Sequence, residues 1–241
     1  MQDIATGGEH VRETGEKNVS RGRRVGVALV TLALLVPMSA CSPEVERTPE
    51  PVEQDGQLLP ATADEPAVTS TPRDQWRKGE MPYLYQIDPQ WSEAEYGGGR
   101  FAKQGCGPTA LSMVYIYLTG KTDLDPVQMA EFSTESGYAT DEQGTSWALM
   151  SNGAYQLGLY SETLPAVAST LQESLEAGHP LVCVMAPGTF TEVGHYIVVE
   201  RMAADGKAVV HDSNSVGRSM RTWDLELICA EAENIWSFSA A

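Results

Sequence analysis

Basic residues are scarce in this 241-residue chain: 16 Lys and Arg stand against 33 Asp and Glu, for a formal charge of -17. A chain so acidic repels phosphate backbones, which excludes sequence-independent nucleic-acid binding. Cysteine is scarce too. Four in all cannot build a disulfide scaffold for a chain of this length. No apolar run reaches the ~18 residues that mark a membrane-spanning helix. No glycine loop ends in Gly-Lys-Ser/Thr, so a phosphate-binding P-loop is excluded. No His/Cys/Glu spacing suggests a zinc site, and no metal or cofactor is expected. What the chain does have is 42% hydrophobic residues with 22 Gly and 14 Pro, which is a globular composition overall.

The charge is not spread evenly. Arg21, Arg23 and Arg24 precede a twelve-residue, mostly apolar run from Val25 to Val36. A positive flank and a run of that length suit a secretory signal over residues 1–40. Met38-Ser39-Ala40-Cys41 follows and resembles a bacterial lipoprotein processing box. Small residues let a signal peptidase approach the backbone, and the Cys41 thiol would carry the lipid. The expectation is a lipid-anchored protein on the extracytoplasmic face of the cell membrane. Residues 41–75 hold six prolines, eight acidic residues and two basic ones, with few large apolar side chains. Such a stretch buries too little surface to offset its ordering entropy, and reads as a disordered tether.

Residues 76–241 then form one domain of ordinary size, with all five tryptophans and no internal repeat. It carries nine basic and twenty-one acidic residues, a net -12. Helical spacing predicts a helix from just after Cys106 to Gly120, with Leu111, Val114 and Leu118 on its core stripe. Asp125-Pro126 opens a second helix through about Ser133. A third is expected from Trp147 to Leu157 behind Thr145-Ser146. A fourth is expected behind a Thr170/Glu173 capping box, ending at Gly178. Strands follow: Pro180 to Met185, His195 to Arg201, Lys207 to Asp212 across an Asp205-Gly206 turn, and one near Ile235 to Phe238. Helices first and an antiparallel sheet afterwards reads as α+β.

Gln104-Gly105-Cys106-Gly107-Pro108-Thr109 puts a cysteine at the mouth of the first helix. A thiol is a weak nucleophile until ionised, and a helix N-terminus favours the thiolate. Flanking glycines let a substrate backbone come close. His195 opens a strand 89 positions later and is the candidate proton shuttle. Asp212 closes the strand across the hairpin, where antiparallel pairing brings it beside His195 to fix the ring's tautomer. Asn214 is the reserve for that role. Rivals are weaker: His10 falls in the signal, His179 fits a helix C-terminus, and strand alternation turns His211 away. Cys183 and Cys229 read as buried residues, or as a disulfide in an oxidising compartment. Trp147 and Trp223 read as packing residues that also suit a cleft wall.

The order Cys, His, Asp on helix, strand and strand is similar to that of papain-like cysteine peptidases. The resemblance tightens at Tyr96-Gly97-Gly98-Gly99, Gly105-Cys106-Gly107-Pro108-Thr109, Gly144-Thr145-Ser146-Trp147, Gly194-His195-Tyr196 and Asp212-Ser213-Asn214-Ser215. Together these resemble the peptidase C39-like proteins, the free-standing branch of the bacteriocin-leader-peptidase superfamily, over about Met81 to Phe238. The resemblance implies a papain-like α+β fold. It also implies a Cys106 nucleophile, a His195 general base and acid, an Asp212 orienter, and a peptide or protein substrate. One departure stands out. Active members carry a Gln several residues before the Cys as an oxyanion donor, whereas here Arg100 lies six back. Gln104, two back, is the oxyanion candidate; Gln86 lies twenty back. A binding module on the same fold, with an unused triad, or an acyltransferase remain alternatives to hydrolysis.

Overall fold

A computed structural model of the protein describes residues 68–141 and 144–240. The expected signal, the lipidation residue Cys41 and most of the expected tether lie outside the described residues. Ser70 and Thr71, assigned to the tether by composition, are hydrogen-bonded onto the domain. The Tyr85 N–H donates to Ser70 Oγ and the Tyr83 N–H to Thr71 Oγ1, both at 2.9 Å. Contacts with the domain therefore begin before Trp76.

A 3-10 turn at Arg73–Gln75 leads in. Strands β1 (Glu95–Tyr96) and β2 (Gly99–Arg100) make a hairpin. Its two turn residues, Gly97 and Gly98, both have positive φ (57° and 75°), the conformation that tight hairpins need. Helix α1 (Phe101–Gln104) is a single turn, and α2 (Cys106–Thr119) runs to Gly120, which ends it in the left-handed region at φ 72°. Helix α3 (Pro126–Glu135) opens with a capping box: Asp125 accepts from the Gln128 N–H while the Gln128 side chain accepts from the Asp125 N–H. Strands β3 (Ala139–Thr140) and β4 (Gly144–Thr145) pair next.

The expected helix from Trp147 is instead a π turn at Leu149–Gly153 running into a short α4 (Ala154–Gln156). Strand β5 (Leu159–Thr163) and helix α5 (Ala168–Glu176) follow. Helix α5 starts behind Val167 with no side-chain cap, so Thr170 lies inside it and the expected capping box does not form. Strands β6 (Leu181–Met185), β7 (His195–Met202) and β8 (Ala208–His211) come next, then α6 (Val216–Ser219), β9 (Thr222–Trp223), α7 (Leu225–Glu231) and β10 (Ala232–Ala240).

The main sheet is antiparallel throughout, in the order β5-β10-β6-β7-β8-β9. Strand β6 lies inside it, and the two faces of the strand alternate between two cores. Val182 and Val184 join Leu111, Val114 and Ile116 of α2. Leu181, Cys183 and Met185 join Leu171 and Leu175 of α5 and Ile228 of α7. A strand covered on both faces has no solvent side, which is why its sequence is unbroken apolar rather than alternating. The mixed α+β class expected from the sequence is the class found. The layering fixes the site: α2 packs on one face of the sheet with its N-terminus near the start of β7.

Candidate active site

Cys106 is the first residue of α2, just past a sharp joint at Gly105. A methyl group at Gly105 would lie 2.6 Å from the fully buried Phe101 ring, and one at Gly107 would lie 2.5 Å from Thr145 Oγ1. The glycines on either side of the cysteine are therefore required by packing. Thr109 Oγ1 donates to the Gly105 carbonyl at 2.7 Å, tying the first turn of α2 to the joint.

His195 opens β7 opposite Met185 of β6 and is 5% exposed. Its Nε2 lies 2.8 Å from Asp212 Oδ1, and it lines the same cleft as Cys106. With Nε2 committed to the carboxylate, Nδ1 is the nitrogen left for the sulfur. Asp212 follows directly on β8 and is 1% exposed. Its Oδ1 also accepts from the Asn214 N–H at 2.8 Å, and its Oδ2 accepts from Arg218 Nε. Ser219 Oγ takes the Asp212 N–H at 2.9 Å. The structure thus brings Cys106 and His195 to one cleft and bonds His195 to Asp212. Asn214, the reserve orienter, touches the carboxylate through its backbone.

The electrostatics follow from these contacts. Burial raises the Cys106 thiol, but the His195 hydrogen bond and charge outweigh it, helped by the Tyr196 and Gly107 N–H groups. The thiol is held below its ordinary value. Burial alone would lower His195; the Asp212 and Cys106 hydrogen bonds push it up to about 9. Burial likewise works against the Asp212 carboxylate, yet His195 and Arg218 hold it below the usual range. Both shifts favour a thiolate–imidazolium pair, with Asp212 held charged behind it.

The sulfur opens onto a cleft of about 600 Å³ whose walls include Gln104, Thr145, Trp147 and Tyr196. Gln104, the oxyanion candidate, therefore lies at the site; it packs so closely on Gly144 that a methyl there would come 2.7 Å from its Oε1. Gln86 does not reach the cleft. It is 2% exposed, donates to the Ala102 carbonyl and accepts from Ser213 Oγ, bracing α1 against the loop after Asp212. Arg100 pairs with Glu93 at the surface.

The rivals separate cleanly. His211 stacks on Tyr83 and bonds Glu200 Oε2 at 2.8 Å. Cys183 and Cys229 are free thiols, and burial, then Cys229, raises the Cys183 thiol far above its ordinary value. Trp147 lines the cleft, whereas Trp223 is buried against Phe190. Among the described residues no group of three His, Cys, Asp or Glu could hold a metal ion, and no helix is long and apolar enough to cross a membrane. Sequence reasoning missed Arg218, Ser219 and Thr145. Only Arg218 left a trace, as the nearest cation after Asp212, six positions on in a turn-rich loop.

The profile of the peptidase C39-like family matches residues 78–239. The chain belongs to that family. This peptidase C39-like chain matches no curated protein. Two solved structures are similar to it. The peptidase domain of Streptococcus ComA, a bifunctional ABC transporter of a quorum-sensing pathway, is 20% identical with a TM-score of 0.43. That match covers 58% of this chain and 93% of the other. A C39-like peptidase from Bacillus anthracis is 14% identical with a TM-score of 0.42, covering 68% and 97%. Membership of the family carries a papain-like fold and a peptidase-like function.

Proposed function

We propose that the protein is a cysteine peptidase that hydrolyses a peptide or amide bond through Cys106, His195 and Asp212. The observation that carries this reading is a helix-mouth cysteine on the same cleft as a histidine that is bonded to a buried carboxylate. The Cys106 thiolate attacks the scissile carbonyl carbon, and the electron pair moves to the carbonyl oxygen. The Cys106 backbone N–H and the Gln104 side-chain amide are the proposed donors to that oxygen. Collapse of the intermediate breaks the C–N bond as the His195 imidazolium gives its proton to the leaving amine. A thioester remains on Cys106. His195, now neutral, takes a proton from water, whose oxygen attacks the thioester. The acid leaves and the thiolate–imidazolium pair is restored. Asp212 keeps the imidazole in one tautomer and supports its charge.

The test is labelling by a thiol-reactive peptidyl probe together with peptide turnover. Parent protein is expected to do both, and Cys106→Ala neither. Equal labelling of parent and variant overturns the reading. A folded parent that is inert in both assays favours a binding module, while product trapped on an added amine favours acyl transfer. The lipid anchor on Cys41 and the extracytoplasmic location are part of the same proposal. Cys41→Ala is then expected to leave the detergent phase on phase partition, and partition equal to the parent's counts against the anchor.

A further inference from the structure

The cleft carries a second chemical feature that hydrolysis does not use. Trp147, just before the π turn, leaves 47% of its surface exposed. Its indole stands edge-on against Trp236, at 84° and 5.8 Å between centroids, and Trp236 in turn lies nearly parallel to Tyr196 at 21°. The exposed ring is therefore held from behind by a buried aromatic stack, and its orientation costs a ligand little ordering. Glu233 of β10 lines the same cleft and is exposed. It has no ion-pair or hydrogen-bond partner among the described residues. Its charge is nonetheless felt within the cleft, where it raises the Tyr196 phenol, although burial is the larger cause.

Lys103 of α1 also lines the cleft, and it too forms no ion pair with Glu233. The carboxylate keeps its field, in a domain with a large acidic excess. An aromatic ring and an unpaired carboxylate lining one cleft are a combination that binds cations: the ring quadrupole and the negative charge act in the same sense.

We infer that the Trp147–Glu233 side of the cleft is a subsite for a cationic side chain. The substrate class is then a peptide with a lysine- or arginine-like group close to the scissile bond. This rests on the cysteine-nucleophile reading, because labelling of Cys106 reports it. The test uses the full-length protein and three peptidyl acyloxymethyl ketones, identical except for lysine, norleucine or glutamate at one position. Second-order labelling of Cys106 is followed by mass spectrometry. One exposed charge pair with one cation–π contact predicts a lysine-over-norleucine ratio of about 3 to 30. That ratio falls towards one in Glu233→Gln and in Trp147→Leu, and Glu233→Lys turns the preference towards glutamate. Equal labelling by the three probes in the parent, or a lysine preference undiminished in Glu233→Gln, overturns the subsite alone. A parent inert to every probe overturns the nucleophile reading and the subsite with it.

Discussion

Replacing Asp212 by alanine tests the electrostatic core of the site. The substitution removes the acceptor that lies 2.8 Å from His195 Nε2. A hydrogen bond to a charged group contributes about 1.5–3 kcal/mol, and one pKa unit is worth about 1.4 kcal/mol. The imidazolium of His195, which persists to about pH 9 in the parent, is then expected to lose its proton about one to two units lower. Arg218 remains in Asp212→Ala, now without its carboxylate, and its charge pushes in the same direction. The sign for the sulfur is opposite. A weaker imidazolium supports the thiolate less, so the Cys106 thiol rises towards its ordinary value. In the parent the thiolate–imidazolium pair exists between the acid protonation of Cys106 and the loss of the His195 proton near 9. In Asp212→Ala that window narrows from both ends. Alkylation of Cys106 by iodoacetamide, followed from pH 4 to 10, reads the thiol; an imidazole NMR titration reads the histidine. On the acid side of the parent's Cys106 transition, labelling is expected to fall by up to about 10- to 100-fold. If the two profiles superimpose, Asp212 does not support the imidazolium and the argument fails.

Two further predictions follow from single contacts. Arg218→Gln removes the cation from Asp212 Oδ2 while leaving Oδ1 on His195, so the carboxylate acts on the imidazolium undiminished. The His195 titration should therefore move upward, opposite to Asp212→Ala, and a static or falling value refutes an electrostatic role for Arg218. Gly107→Ala drives a methyl to within 2.5 Å of Thr145 Oγ1, the atom that also bonds the Tyr96 hydroxyl at 2.8 Å. Overpacking of this kind costs about 1–3 kcal/mol, or about 2–12 °C in Tm for a domain of this size, and calorimetry that finds no loss would show that Thr145 can give way.

Much of the site was legible because its chemistry is local in sequence. Cys106 announces itself by a glycine on each side and a helix behind it. The pairing of His195 with Asp212 follows from a hairpin whose turn, Asp205-Gly206, is marked. What lay hidden depends on tertiary packing. Helix α5 begins where Leu171 and Leu175 meet the second core, so burial overrode the Thr170/Glu173 pattern. Strand β5 escaped notice because it borders the sheet and only Leu159 of its five residues is buried, leaving no alternation to read. Helix α1 is a single turn, too short for any periodicity. Arg218 and Gln86 act through partners that no spacing rule connects; Gln86 meets Ser213 across 127 positions.

The sulfur and the imidazole proposed to activate it enter the fold from separate layers, one on a helix and the other at the start of an interior strand reached much later in synthesis. An unfolded or half-made copy of the chain therefore holds only an ordinary thiol and an ordinary imidazole, unable to cut itself or its neighbours. On the proposed mechanism, reactivity is switched on by the closing of the fold itself.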